Sequence, residues 1–519
     1  MTAHPQAYVD LPPFSAIASS GQGGSKLNPL VVHYTTILML ECAVVSPVAS
    51  FQSAVTRLPP ELIDQCFSYL HYVYDDELDN RLNLVHENYF RKTLKACSLT
   101  CRTWAGVARR HLFRVWNVAF STESRKYNTL QQVLTFLQDN HDVSMSVKWL
   151  RLRIVRRESS LLNIHRRSVR KQDCPADLLV EVLQALPWLV SLELDDVVLS
   201  SRSSGLTSTR TSAAPIALDS LDLIYDRRGE PEDVPTSELV HHILSLFNEV
   251  DTVRICDYMG NESDVESPDP STLFSPSPRV RQFLMGNING SATRALLSGL
   301  AASPSIHVLT HLFLGDVVWS HLVPLQSFLQ VCAPTLTSLH LGLTLLVYEN
   351  RGEQPVCITR RPHKLNGSVA QNIADVINLS CLHNLQSLGF SCIVDDAWFQ
   401  VILLTIVAFL LPIRPHPRRN IPGLALRRLC FDVWAAFTIP LEQLRDSSFS
   451  QVLDQVISCF ATLAAVDILF TTNLTIRDRL DDGAIVILQQ MFSRLHARGI
   501  LHITDVTVAE SIDFLRRLL

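Results

Sequence analysis

The chain has 519 residues, of which 47% are hydrophobic and 18% are charged, and its formal net charge is −5. This length exceeds the usual size of a single core, so we expect several domains or an elongated, repetitive fold. The composition excludes a mainly disordered chain, and the near balance of charges excludes the global positive field typical of nucleic-acid-binding proteins.

The sequence shows none of the cysteine, glycine, serine or histidine motifs that usually mark a metal site or an active site. The twelve cysteines form no Cys-x-x-Cys pair, which indicates reduced, packed thiols. The sequence also has no phosphate-binding glycine loop, nucleophile elbow or His-Glu-x-x-His helix. We therefore expect a non-catalytic protein of the cytoplasm, the nucleus or both, with no cofactor, no metal site and no nucleic acid as partner.

Two apolar stretches raise the question of a membrane. Residues 1–53 lack a basic start, and His33 and Glu41 interrupt their apolar part, so we predict a poorly ordered leader. Residues 397–413 are short for a bilayer span and occupy the place of a helix in the repeat described below, so we predict a buried helix. No membrane partner is expected.

Residues 54–118 predict a small helical domain. Two prolines before Glu61 are typical of a helix start, and apolar residues then recur on one helical face. A second apolar face follows between Leu94 and Ala108, after an acidic stretch at 71–92 that we interpret as a solvated insert. A unit this small needs a neighbour, because it buries little surface by itself.

These helices resemble an F-box. The first half of the family pattern matches at Leu58, Pro59, Glu61, Leu62, Ile63, Phe67, Tyr69 and Leu70, and the second half at Ala96, Leu99, Cys101, Arg102, Trp104, Leu112 and Phe113. The resemblance implies docking onto a Skp-type adaptor, which joins a cullin scaffold of a ubiquitin ligase. By the same resemblance, the residues that serve docking or the packing beneath it are Leu58, Pro59, Leu62, Ile63, Phe67, Leu70, Leu99 and Trp104.

From residue 119 to 519 one short pattern returns: apolar, two variable, apolar, one variable, apolar. Clear copies begin at Leu189, Leu218, Val250, Leu309, Leu336, Leu385, Leu426 and Leu463, and weaker copies stand near Leu150 and Leu501. Segments of helical period precede most copies, so each unit predicts a helix, a turn and a strand. The fold class expected is α/β: a parallel sheet with helices on its convex side.

This array resembles a degenerate leucine-rich-repeat solenoid, with serine- and proline-rich loops at 200–215 and 260–278. A non-solenoid α/β domain explains any single copy equally well. Strand alternation directs the pattern leucines into the core and the residues between them to the concave face. The concave residues predicted to contact a target are Arg151, Arg153, Glu193, Asp195, Asp222, Arg254, Phe313, His340 and Asp432.

The function expected from both resemblances is substrate recognition in a Skp–cullin–F-box ubiquitin ligase, with the helices binding the adaptor and the repeats binding a target protein. The alternative is a non-catalytic repeat scaffold whose F-box-like helices only cap the first repeat. The strand register also predicts that Leu339→Ala lowers thermal stability, whereas His340→Ala barely alters it.

Overall fold

Twelve parallel strands form one sheet in the part of the chain that the structure describes, and they follow one another in chain order. The computed structural model describes residues 59–75, 91–99, 102–120, 129–154, 173–200, 216–226, 236–258, 278–286, 290–315, 317, 321–343, 376–394, 399–413, 426–435, 448–472 and 482–507. The predicted leader, Leu58, both predicted loops apart from their end residues Ser200 and Pro278, and residues 76–90 of the insert lie outside these ranges.

The strands carry the repeated apolar pattern. They are β1 Val115–Phe120, β2 Trp149–Ile154, β3 Asp173–Pro175, β4 Ser191–Asp195, β5 Val198–Ser200, β6 Ala217–Asp226, β7 Glu249–Tyr258, β8 Arg279–Gly286, β9 His311–Leu314, β10 Ser338–Gly342, β11 Ser387–Val394, β12 Arg428–Ala435, β13 Ala465–Thr472 and β14 Leu501–Thr507. Strands β3 and β5 pair with each other in a separate small sheet, and the other twelve form the main sheet.

Helices fill most of the connections between the strands, as parallel pairing requires. They are α1 Pro60–Asp75, α2 at residues 91–98, α3 Arg102–Arg114, α4 Leu130–Asp139, α5 His141–Ser144, α6 Ala176–Gln184, α7 Thr236–Leu244, α8 Gly290–Ala302, α9 Leu322–Cys332, α10 Phe399–Leu410, α11 Ser448–Ser458, α12 Asp482–Met491 and α13 Ser493–Ala497. Short 3-10 turns cover Pro304–His307, Leu379–Cys381 and Leu411–Ile413.

Local sequence explains where individual helices begin. Helix α4 starts with a capping box: the Thr129 hydroxyl accepts the Gln132 N–H at 3.2 Å, and the Gln132 side chain accepts the Thr129 N–H at 2.8 Å. The buried helix predicted at 397–413 is present as α10 and the 3-10 turn that follows it.

The pattern leucines lie in one continuous core between the sheet and the helices, as the strand register predicted. Leu192 pairs in register with Leu150 on one side and with Leu221 on the other, and all three are fully buried. Helix residues such as Leu179 and Leu183 belong to the same core. At about 1.5 to 3 kcal/mol for each buried leucine, this layer supplies most of the drive to fold.

Two strands of the main sheet were not predicted. Strand β8 carries the same pattern as its neighbours, with Val280, Phe283 and Met285 in register with Val250, Val253 and Ile255. Strand β1 begins directly after α3, with no intervening residue. The predicted helical domain extends to residue 118, but helix α3 ends at Arg114, and Trp116 pairs with Leu150 in the sheet.

The helical segment before the sheet also differs from the prediction at its insert. Helix α1 covers residues 71–75, and α2 covers residues 91 and 92, although all of these positions fall within the predicted insert. Both ends of the predicted insert are therefore helical.

Candidate functional site

Contacts between α1 and α3 hold the F-box-like helices together. The Phe67 ring meets the edge of Trp104 at 5.8 Å and that of His111 at 5.6 Å between ring centroids. The His111 Nε2 atom lies 3.0 Å from the Asp64 Oδ1 atom, and the histidine is buried. One aromatic side chain and one polar pair thus fix how these two helices cross.

The residues that resemblance assigned to adaptor docking divide into buried and exposed side chains. Ile63 and Phe67 are buried, and Trp104 is half-buried. Pro59 is exposed, Leu62 is 47% exposed and Leu99 is 86% exposed. Leu58 and the side chain of Leu70 lie outside the described residues. Exposed leucines at two of the assigned positions are the ones able to contact another protein.

The side of the sheet opposite the helices, here called the polar face, carries the predicted target-binding residues. Four of them occupy one register line across four neighbouring strands: Arg151 on β2, Glu193 on β4, Asp222 on β6 and Arg254 on β7. We call this line, together with Arg153 and Asp195, the charge ladder. Opposite charges that face each other across parallel strands stabilise the pairing modestly.

Ion pairs connect the members of the charge ladder. The Arg151 Nε atom lies 2.9 Å from the Glu193 Oε1 atom, and the Arg151 Nη2 atom lies 3.5 Å from the Asp195 Oδ2 atom. The Arg153 Nε atom lies 3.3 Å from the same Asp195 oxygen. Farther along, the Arg254 Nη1 atom lies 3.4 Å from the Asp222 Oδ1 atom.

Another group of predicted residues, on β9 to β12, is not accessible in the way we expected. The His340 ring stacks on Phe313 with centroids 4.7 Å apart and planes at 19°, and the His340 Nε2 atom lies 3.0 Å from the Ser391 hydroxyl. His340 is only 4% exposed. The expectation that His340→Ala barely alters stability is therefore wrong, because the ring packs inside the protein.

The space for this ring comes from a glycine on the next strand. Gly389 pairs in register with His340, and a side-chain carbon at Gly389 would overlap the imidazole ring. On β12, which pairs with β11, Asp432 is also buried. It accepts hydrogen bonds from the Trp434 indole N–H at 2.6 Å and from the Thr471 hydroxyl at 2.8 Å.

The polar face thus has a closed part on β9 to β14, which we call the second core. Its apolar members pack together although they lie on the side of the sheet away from the helices: Phe313, Cys430, Leu469 and Val506. Asp432, predicted as a target contact, lies beside this group and is satisfied by its own chain. A partner cannot reach it or His340 without opening this part of the structure.

Burial keeps the His340 imidazole and the Cys430 thiol uncharged. It lowers the pKa of His340 to about 3. It also raises the pKa of the Cys430 thiol well above its usual range, and the nearby Asp432 and Asp467 carboxylates raise it further. A protonated thiol is a poor nucleophile and a weakly basic imidazole is a poor general base, so both groups suit packing more than catalysis.

Sequence reasoning missed several residues that the structure makes important. Asp64 and His111 were not singled out, yet they form the polar contact between α1 and α3. Gly389 and Ser391 were also missed. A glycine and a serine inside an apolar strand pattern were the available signal, since such positions often mark a close approach.

Comparison with known proteins adds no relative: neither models of protein families nor curated proteins match the chain. Within the described ranges, His, Cys, Asp and Glu side chains form no cluster of three or more that could hold a metal ion. In the same ranges, every helix falls short of the length and apolar character that crossing a bilayer requires.

Proposed function

We propose that the protein is the substrate-recognition subunit of a Skp–cullin–F-box type ubiquitin ligase. In this proposal the F-box-like helices bind the adaptor, and the polar face of a leucine-rich-repeat-like array binds the target. The protein itself performs no chemistry. It raises the concentration of the target's lysines near the ubiquitin-loaded partner, which tethering brings toward the millimolar range.

The observation that carries the proposal is the exposure of apolar side chains at positions that the F-box pattern assigns to docking. Leu99 is 86% exposed and Leu62 is 47% exposed, whereas Phe67, an assigned position in the same pattern, is buried. An exposed apolar side chain gains free energy when a partner removes it from water, and these two stand at positions that the F-box pattern assigns to docking. The buried Phe67 instead packs against Trp104, another position of the pattern.

A second candidate function is the scaffold in which these helices only cap the sheet. Two observations favour it: α3 runs directly into the edge strand β1, and the Arg91 guanidinium of α2 donates to the Val115 carbonyl at 3.3 Å. A repeat array requires such a cap, because its end would otherwise expose apolar surface. A cap alone, however, does not need an exposed Leu99.

Co-purification with the adaptor tests the proposal. Leu99→Asp places a charge on a side chain that the fold leaves exposed, so we expect intact folding and loss of adaptor binding. The matched control is Val323→Asp on α9, where the valine is 65% exposed and lies far along the chain from the F-box-like helices. The control is expected to retain the adaptor.

Two results would favour the scaffold over the ligase subunit. One is that the unaltered protein fails to retain the adaptor when the two are co-expressed. The other is that Leu99→Asp and Val323→Asp retain it equally well. Thermal unfolding of both variants verifies that any loss of binding does not come from loss of folding.

A further inference from the structure

We infer that the charge ladder binds an extended, carboxylate-bearing segment of the target protein, and that the second core takes no part in target binding. This inference rests on the proposed function, because it names the class of target that the polar face would select. It restricts the contact to β2, β4, β6 and β7, the strands that carry the ladder.

The arginines of the ladder lie outside its carboxylates. The Arg153 side chain is 65% exposed, whereas the Asp195 side chain that it contacts is 11% exposed. Arg151 is likewise more exposed than Glu193, and Arg254 is more exposed than Asp222. An approaching partner therefore meets guanidinium groups first, although the ladder contains as many acidic residues as basic ones.

The carboxylates beneath also hold the guanidinium groups in place. Arg151 contacts both Glu193 and Asp195, and Arg153 contacts Asp195 through its Nε atom. A guanidinium has five N–H donors, so these contacts leave donors to spare for an anion. Because the arginines are already oriented, a carboxylate that binds them loses less side-chain entropy than it would with mobile arginines.

The spacing of the ladder suits an extended peptide. Arg151 and Arg153 are two residues apart on β2, which separates them by about 6.6 Å, twice the strand rise of about 3.3 Å. The same distance separates alternate side chains of an extended segment lying along the strand. The exposed Trp149 ring, two residues before Arg151 on the same side of the strand, adds an apolar surface that a peptide can cover.

The rest of the polar face does not offer such a surface. Phe313 stacks on His340, and Asp432 binds Trp434 and Thr471. These groups satisfy one another inside the second core, and replacing their contacts with contacts to a partner would bring little gain. The greater exposure of the guanidinium groups thus points to the ladder, and to an acidic partner.

The test uses the full chain and a short fluorescent peptide of alternating Glu and Thr, with binding measured by fluorescence anisotropy. We expect saturable binding that weakens as salt is added, since exposed charges are screened. Arg151→Gln with Arg153→Gln is expected to weaken binding about tenfold or more. Arg153→Gln alone, at the most exposed arginine of the ladder, gives a second reading if the double variant folds poorly.

The matched control is Arg281→Gln. Arg281 is a strand arginine on β8 that is similarly exposed and lies 3.5 Å from Asp251, but it does not belong to the ladder. It is expected to leave peptide binding unchanged. A peptide of alternating Gln and Thr is expected not to bind, because it lacks the charge.

Several outcomes would overturn the inference. Equal binding of the Glu and Gln peptides would show that binding does not depend on charge. Equal losses of affinity from Arg281→Gln and from the ladder variants would show that the peptide does not bind at the ladder. Binding of a phosphoserine peptide without binding of the Glu peptide would overturn the carboxylate assignment. Adaptor co-purification with the Arg151→Gln, Arg153→Gln protein separates this failure from that of the proposed function, because the adaptor is held by α1 to α3.

Discussion

His340 shows how a single polar residue on the sheet contributes to stability. Its ring is stacked on Phe313 and bonded to Ser391, and it is almost entirely buried. His340→Ala is expected to lower the free energy of unfolding by about 1 to 3 kcal/mol, through the lost stacking and the unpaired serine hydroxyl. Chemical denaturation measures this change.

The matched control for this substitution is another histidine in the neighbouring repeat. His383 is exposed, so His383→Ala is expected to change stability by no more than about 0.5 kcal/mol. Leu339, next to His340 in the chain, is buried, and Leu339→Ala is expected to lower the free energy of unfolding by about 2 to 5 kcal/mol. If His340→Ala lowers the free energy of unfolding no more than His383→Ala does, the imidazole is not packed in the second core as described.

The lowered pKa of His340 predicts how the free energy of unfolding changes at acid pH. An unfolded histidine takes up a proton below pH about 6.5, whereas burial holds the pKa of folded His340 at about 3. The unfolded state therefore binds more protons in this interval, and the contribution of His340 to stability is lost as pH falls from about 6.5 to about 3. The expected slope is about 1.4 kcal/mol for each pH unit.

This slope is measured as the difference between the unaltered protein and His340→Phe, which keeps an aromatic ring but cannot take up a proton. The difference in unfolding free energy is expected to shrink or reverse as the pH falls through this range. A difference that stays constant from neutral pH to pH about 3 would contradict burial of the imidazole.

At the scale of the elements, β10 and β11 depend on each other through Gly389. Gly389→Ala is expected to destabilise the protein, because the added methyl group overlaps the His340 ring. The cost is expected to be smaller in a His340→Ala background, where the ring is gone. Unfolding free energies of the two single variants and the double variant form the cycle that measures this coupling.

Gly106→Ala is the matched control for this prediction. Gly106 lies in helix α3 with open space around it, so alanine there is expected to be neutral or to stabilise the protein by about 0.5 to 1 kcal/mol through helix propensity. Equal costs of Gly389→Ala with and without His340 would show that the ring does not occupy the space above this glycine.

Much of the sheet could be predicted from the sequence, because buried strand positions must be apolar and the pattern keeps its phase. The copy at Leu192 and Leu194 continues in register into Leu221 and Leu223. Strand β8 carries the same pattern from Val280, so it could also have been predicted from the sequence. At the boundary between α3 and β1, by contrast, the three-residue step from Phe113 to Trp116 fits a helix, although Trp116 already lies in the strand.

The closed part of the polar face could not be predicted in this way. Whether His340 is exposed depends on Gly389 and Ser391, which lie about 50 residues away in the chain and only meet it through strand pairing. The burial of Asp432 depends likewise on Thr471. Strand alternation assigns a side chain to a face of the sheet, but neighbouring strands decide whether that face is open there.

At the scale of the whole molecule, the chain carries two surfaces with different chemistry: the F-box-like helices and the charge ladder. Under the proposed function, the exposed leucines of the F-box-like helices would bind an adaptor, and the arginines of the charge ladder would bind an acidic target. On β9 to β14, the second core closes the polar face with groups that satisfy one another. The proposed function requires that one chain bind the adaptor and the target at the same time.

Amide hydrogen exchange of the intact protein, with and without the purified adaptor, tests the central claim most directly. The account predicts slower exchange in residues 60–67 and 91–107 when the adaptor is added, and unchanged exchange in β9 to β13. Unchanged exchange throughout the F-box-like helices at saturating adaptor would contradict the proposal, and the helices would then serve only as a cap.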